Sequence, residues 1–253
     1  MRAGVTAMPN LPVLFIHAFP LDSRMWAPQL DAVGSTRLVL APDLRGFGRN
    51  RQCMLPESVD GHARDMLELL DRASAPRAIV VGLSMGGYIA FGMLRLAPER
   101  IAGLLLADTK AAADSPETRK GRDERIARLQ RDGVGFLPDE MIPSLAAPSC
   151  PDSIKLELRR LILEQDPISV AAALRVLRDR PDSSGLLGRI QVPTTFVCGE
   201  ADTLTPPSVM REMAERVSGA RYVAVSGAGH MSNLEAPEVF NRAMVELMGR
   251  CTG

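Results

Sequence analysis

Short apolar runs alternate with longer amphipathic stretches along the chain. The runs occupy residues 13–16, 37–40, 78–81, 101–106, 194–197 and 222–225. They are too short for helices, and their consecutive apolar positions match central parallel strands covered by helices on both faces. Between them, Val59, Ala63, Met66, Leu67 and Leu70 recur at three- and four-residue spacing, the signature of a helix with one apolar face. Residues 86–96 predict a buried helix stopped by Pro98, Val209, Met213 and Val217 mark another, and residues 237–248 a last one carrying Val239, Phe240, Ala243, Val245 and Leu247. This alternation predicts an α/β fold, with a mainly parallel central sheet flanked by helices.

The alternation breaks between residues 111 and 187, where the pattern is helical and no strand is convincing. Ile126 and Leu129 are the apolar points of a highly charged stretch. Ile154, Leu158, Leu161 and Ile162 form one stripe, and Val170, Leu174 and Leu177 another. The expectation is a helical cap inserted into a core made of residues 1–110 and 188–253, lying over one edge of the sheet.

Composition narrows the function. The 253 residues are 46% hydrophobic, ordinary for a globular protein. Thirty Lys and Arg balance thirty Asp and Glu, which argues against nucleic acid and anionic membranes as partners, since both require a basic surface. No apolar run approaches the roughly 18 residues of a membrane span. Residues 1–9 hold one Arg and no apolar core, and the run at 11–16 is too short for a secretory signal. Cys53, Cys150, Cys198 and Cys251 are scattered without a CxxC pair, so reduced thiols in a cytoplasm are expected. The three histidines, His17, His62 and His230, form no HExxH helix, and no metal site is visible.

The strongest chemical signal is Gly82-Leu83-Ser84-Met85-Gly86-Gly87, following a strand run and opening a helix. A serine there sits on a tight strand-to-helix turn, with its hydroxyl at the top of the sheet beside a helix N-terminus. Small neighbours two positions away avoid a clash across the turn. No Lys follows as in a phosphate-binding P-loop, and the pattern is not GxGxxG. A serine hydroxyl needs a general base, and the base needs an acid to orient it. His230 is the candidate base, in the small-residue loop Ser226-Gly227-Ala228-Gly229-His230. Asp202 is the candidate acid, just beyond the strand run ending near Cys198. Asp108, after the strand run ending near Ala107, is its rival, and Glu200 is an alternative that sequence leaves open.

These residues and their order, Ser84, Asp202, His230, resemble the α/β-hydrolase superfamily, in its small cap-bearing esterase, enol-lactonase and cofactor-free haloperoxidase-like branch. His17-Ala18-Phe19-Pro20, Asp43-Leu44-Arg45-Gly46-Phe47-Gly48 and Gly229-His230 support the resemblance over nearly the whole chain. It implies that the backbone N–H groups of Phe19 and Met85 form an oxyanion hole, with His17 tying the first loop down. Ala18 stands where the family usually has Gly.

Other residues have plainer expected roles. Asp43, Arg45 and Gly46 organise a turn, His62 is a solvated helix residue, and Arg119, Lys120, Arg122 and Arg125 form an exposed helix face. Trp26 and Met231 are candidate pocket residues, with packing the favoured role for Trp26.

The expected activity is hydrolysis of carboxylic esters of small or medium uncharged substrates, through an acyl-enzyme on Ser84, without cofactor or metal. Lactone hydrolysis and acyl transfer to peroxide use the same residues. Carbon–carbon bond hydrolysis, hydroxynitrile cleavage and a non-catalytic binding role are rivals, and Ser84 disfavours a dehalogenase, which would carry Asp there. The expected partner is a small-molecule ester or lactone; acyl length, stereochemical preference and oligomeric state are not legible.

Overall fold

A computed structural model describes residues 11–34, 37–51 and 54–251. Cys53 and the N-terminal residues 1–9 lie outside the described residues. The chain opens with β1 (Val13–Ile16), α1 (Ala27–Val33), β2 (Val39–Leu40) and α2 (Val59–Arg72). It continues through β3 (Ala78–Leu83), α3 (Met85–Leu96) and β4 (Ile101–Ala107). After an all-helical segment come β5 (Thr194–Gly199), a helix at Pro207–Glu215, β6 (Arg221–Val225), and helices at Ser232–Glu235 and Pro237–Arg250.

The six strands form one parallel sheet in the order β2-β1-β3-β4-β5-β6, flanked by helices. β1, β3, β4 and β5 are buried at every position, as their continuous apolar runs require. The two edges differ from that expectation. β2 is only two residues long and half-buried, and β6 is partly exposed along its length, because each pairs on one side alone. The chain leaves β1 for β2 and then crosses back to β3 on the other side of β1. The loops after β1 and β3 therefore diverge at the carboxyl end of the sheet, the switch point where open α/β sheets bind ligands.

The segment between β4 and β5 holds α4 (Pro116–Asp132), α5 (Leu137–Leu145), α6 (Asp152–Leu163) and α7 (Pro167–Arg178). The remaining helices, in chain order, are α8 (Pro207–Glu215), α9 (Ser232–Glu235) and α10 (Pro237–Arg250). Side-chain caps start two of the four inserted helices. Ser115 Oγ accepts from the Thr118 N–H, and Asp166 accepts from the Ser169 N–H, each satisfying a donor the helix leaves open. Buried Leu158, Leu161 and Ile162 of α6, and Val170, Leu174 and Leu177 of α7, are the stripes read from the sequence. Gln165, between them, ties the segment to the sheet side: its amide donates to Asp22 at 3.0 Å, and its carbonyl oxygen accepts from the Gly48 N–H at 3.1 Å.

Packing corrects the expectation for His62 and decides between the two roles of Trp26. His62 is not solvated; α2 turns it inward with Val59, Ala63, Met66 and Leu70. His62, Met66 and Leu70 are four residues apart, so they share one face. Burial, with smaller effects from His17 and Arg45, pushes its pKa down to about 3. Trp26 is fully buried between Phe15 and Phe240, with ring centroids 5.2 and 6.0 Å away. It is part of the core, and the packing role is the one it takes.

Candidate active site

The loop after β1 is anchored by His17. Its Nδ1 lies 3.0 Å from Ala18 O, and its Nε2 lies 3.0 Å from the Leu44 N–H. The Leu44 N–H can only donate, so Nε2 accepts and Nδ1 carries the proton. Burial, outweighing the Ala18 bond and two nearby carboxylates, lowers the pKa and keeps the ring neutral. The ring thus joins the first loop to the turn that starts at Asp43. That turn is organised by its own polar groups. Asp43 accepts from the Ser23 N–H and the Arg49 N–H, both at 2.9 Å, while Arg45 pairs with Asp65 at 2.7 Å. Against the cost of burial, the bonds from Ser23 and Arg49 lower the pKa of Asp43 to about 2. Phe47 packs edge-on against both His17 and Phe19. The Phe19 N–H has no hydrogen-bond partner among the described residues.

Ser84 forms the corner between β3 and α3 with φ 53° and ψ −112°. A non-glycine residue at positive φ is strained and persists only where its surroundings hold it. Here the Ser84 N–H donates to Ala107 O at 2.9 Å, and Thr109 Oγ1 donates to Ser84 O at 2.8 Å. The flanking glycines have separate reasons. A Cβ on Gly82 would lie 2.5 Å from Gly86 O, the clash across the turn that the sequence implies. A Cβ on Gly86 would lie 2.0 Å from Ile16 O, so the second glycine lets the turn sit against β1. Met85 is the first residue of α3, and its N–H has no acceptor within the helix.

The loops after β4, β5 and β6 bring together the two aspartates and His230. His230 Nδ1 lies 2.8 Å from Asp202 Oδ2, and both side chains are buried. Asp202 Oδ1 accepts from the N–H groups of Leu204 and Thr205 at 2.8 and 3.0 Å, and the Thr205 hydroxyl donates to Oδ2. Burial opposes ionisation of Asp202, but His230 and the Thr205 bonds outweigh it and hold the pKa below the ordinary carboxylate range. Burial likewise opposes a charged His230, but the Asp202 carboxylate and its hydrogen bond prevail, and the pKa is raised. His230 Nε2 has no hydrogen-bond partner among the described residues.

The rival acid Asp108 points elsewhere. It accepts from the Gly199 N–H at 2.8 Å and from the Ser232 hydroxyl, and no hydrogen bond joins it to His230. Burial, with the neighbouring Asp202 charge, pushes its pKa up to about 8. Glu200 makes no side-chain hydrogen bond or ion pair among the described residues and is exposed. Asp108, Cys198 and Asp202 are the described residues whose possible metal-ligand atoms come within 4.8 Å of one another. Both carboxylates are already engaged, and burial raises the pKa of the Cys198 thiol, so this set is poorly prepared to hold a cation.

Glu235 staples the His230 loop to the inserted helices. It accepts from the Gly229 N–H at 3.0 Å and the Ala147 N–H at 2.8 Å. The Met231 N–H donates to Leu145 O at 2.9 Å beside it.

Ser84, His230 and Phe19 line one cavity of about 380 Å³, roofed by residues of α4, α5 and α7. Met231 is fully buried, and neither it nor Trp26 is among the lining residues, so neither serves as the pocket wall proposed for it from sequence. Sequence reasoning missed the actual wall. Thr203, Leu204 and Thr205 contribute from the Asp202 loop, and Tyr88, Met141, Leu145 and Leu177 supply its larger uncharged side chains. Lys110, Arg122 and Arg125 also line it. Arg122 and Arg125 therefore leave the exposed face assigned to them. They lie three residues apart and turn inward beside Ile126 and Leu129, a spacing legible in the sequence. The wall is mixed, with three basic side chains set among uncharged ones.

A serine at a strained strand–helix corner and a buried Asp–His pair, facing one cavity at the carboxyl end of a parallel sheet, define a hydrolase-type site. A family model described as the alpha/beta hydrolase family matches residues 13–243, and the chain belongs to that family. Over 96% of its length it superimposes on 92% of a thermophilic esterase from Thermogutta terrifontis, solved with malate bound, at TM-score 0.92 and 37% identity. The enol-lactonase of Burkholderia xenovorans LB400 aligns over 96% of this chain and 92% of its own, at TM-score 0.86 and 26% identity. A dihydrolipoyllysine-residue acetyltransferase component of an acetoin cleaving system from Pseudomonas putida is 30% identical over 94% of this chain, which spans 63% of that relative's length. This is the branch in which esterases, enol-lactonases and bromoperoxidases share the fold. No described helix is long and apolar enough to cross a membrane.

Proposed function

We propose that the chain is a serine hydrolase that cleaves carboxylic esters through an acyl-enzyme on Ser84. The observation that carries this reading is the buried 2.8 Å Asp202–His230 bond, with His230 and Ser84 in the wall of one cavity. Asp202 occupies Nδ1, which leaves Nε2 to serve the serine. In the cycle, Ser84 Oγ attacks the carbonyl carbon and its proton passes to His230 Nε2. The Phe19 and Met85 N–H groups receive the negative charge that develops on the carbonyl oxygen, each contributing about 3 kcal/mol to the lowered barrier. Collapse breaks the bond to the alkoxy oxygen, which takes the proton from Nε2 and leaves as the alcohol. Water then gives a proton to Nε2 as it attacks the acyl carbon, and the returned proton restores Ser84 as the acid departs.

The likeness to an enol-lactonase supports a lactone as an ester of the same kind. Peroxide in place of water would turn the second half into perhydrolysis.

Hydrolysis of p-nitrophenyl esters from acetate to decanoate tests the reading. A cavity of about 380 Å³ lies near the small end of ligand sites, so rates are expected to peak between acetate and hexanoate. No ester cleaved above the buffer rate would overturn the proposal.

His230 must be neutral to accept the proton, and its pKa is raised above the ordinary 6.5. As pH falls, kcat/KM is therefore expected to drop along a single-proton limb whose midpoint lies above 6.5. A midpoint below 6.5 in a pH–rate profile would contradict the geometry around Nδ1.

A further inference from the structure

The charged side chains in the cavity wall are all basic. Lys110, Arg122 and Arg125 line it, and no Asp or Glu does among the described residues. Arg125 pairs at 3.3 Å with Glu140, a carboxylate it shares with Arg128. Lys110 and Arg122 are not fully balanced. They share the carboxylate of fully buried Asp114 with a third cation, Arg180, which is itself buried. Arg122 and Arg180 hydrogen-bond to that carboxylate, and Arg180 also donates to the carbonyl oxygens of Leu177 and Ala112. Lys110 Nζ stands 3.8 Å from Asp114, too far for a hydrogen bond, and makes none among the described residues. Three cations against one carboxylate leave an excess of positive charge, and Lys110, whose ammonium has unspent donors, lines the same cavity as Ser84.

Keeping such charge half-buried and only partly compensated by one shared carboxylate costs free energy that a bound anion would recover. Burial, reinforced by the charges of Arg180 and Arg122 and partly offset by Asp114, lowers the pKa of Lys110. Tyr88 and Leu177 in the same wall give the remainder of a substrate an uncharged surface.

We infer that the substrate carries a carboxylate remote from its scissile ester, and that Lys110, assisted by Arg122, is the subsite that binds it. This rests on the ester hydrolase reading above and narrows it to half-esters of dicarboxylic acids or lactones bearing a carboxylate. Lys110 lies beyond the end of β4 and Arg122 on α4, so one ligand charge would bridge the sheet and the inserted helices.

The test compares monomethyl glutarate with methyl pentanoate, which differ by a carboxylate in place of a methyl group, using proton release as the assay. Wild type is expected to favour the half-ester in kcat/KM by tenfold or more. Lys110→Met is expected to lower that preference at least tenfold, chiefly through KM, and Lys110→Arg to restore most of it. Calorimetric titration of glutarate into Ser84→Ala, with and without Lys110→Met, reads the subsite without catalysis, and at least tenfold weaker binding is expected in the double variant. A wild-type preference of one or less, or one unchanged in Lys110→Met, overturns the inference while leaving the hydrolase reading intact. If neither methyl ester is cleaved, the p-nitrophenyl series decides the hydrolase reading and the titration alone decides the subsite: Lys110-dependent glutarate binding sustains it, and its absence removes it.

Discussion

Replacing Ser84 with alanine is expected to lower kcat/KM on the best p-nitrophenyl ester by about 10^4 to 10^6-fold, the range seen when a nucleophile acting with its base is removed. The fold should survive. The strained backbone at Ser84 is held by main-chain bonds to Ala107 and by the Thr109 hydroxyl, and none of these uses the serine side chain. Alanine also remains compatible with the close approach of Gly82 and Gly86, since the crowding there comes from backbone. Circular dichroism and thermal unfolding should therefore match wild type while activity collapses. A variant that retains more than a few per cent of its activity would mean that the ester bond is attacked by something other than Ser84.

The second large effect separates two buried aspartates that sequence alone could not rank by contact. Asp202→Asn is expected to cost about 10^4-fold in kcat, because an amide donor at Oδ2 would face the proton on His230 Nδ1 and favour the wrong tautomer. Asp108→Asn is expected to cost less than about tenfold. Burial and the neighbouring Asp202 charge favour the neutral form of Asp108, and two carboxylates this close do not both ionise readily. An asparagine is close to isosteric with that neutral acid. Its carbonyl oxygen can accept from the Gly199 N–H, and its amide can donate to the Ser232 hydroxyl. Steady-state kinetics at pH 7 on both variants checks the assignment. A collapse in Asp108→Asn with Asp202→Asn near wild type would exchange the two roles.

Much of this arrangement is readable from the chain because its causes are local. Three of the four interior strands announce themselves as unbroken apolar runs, β5 opens on two threonines, and the Ser84 turn is marked by glycines whose Cβ atoms would strike backbone. The Asp202 and His230 loops follow strand runs that the sheet must align at one edge. The failures share a different cause. His62 and the inward-turning Arg122 and Arg125 are polar residues whose burial is set by the helix face each occupies, which polarity alone does not show. Met231 lies beside His230 in sequence, but its side chain enters the core. Lys110 gives no motif at all. Its significance depends on Asp114, Arg122 and Arg180 meeting across the junction of sheet and inserted helices, a long-range packing outcome that no local pattern encodes.

The central claim is that Ser84 is activated by the buried Asp202–His230 pair. The most direct measurement is intact-protein mass spectrometry after reaction with a fluorophosphonate, followed by peptide mapping. One adduct per chain is expected, located on Ser84, formed rapidly in wild type and slowed by orders of magnitude in His230→Ala with the fold intact. No adduct in the folded wild-type protein, or stoichiometric labelling at another residue, would contradict the account.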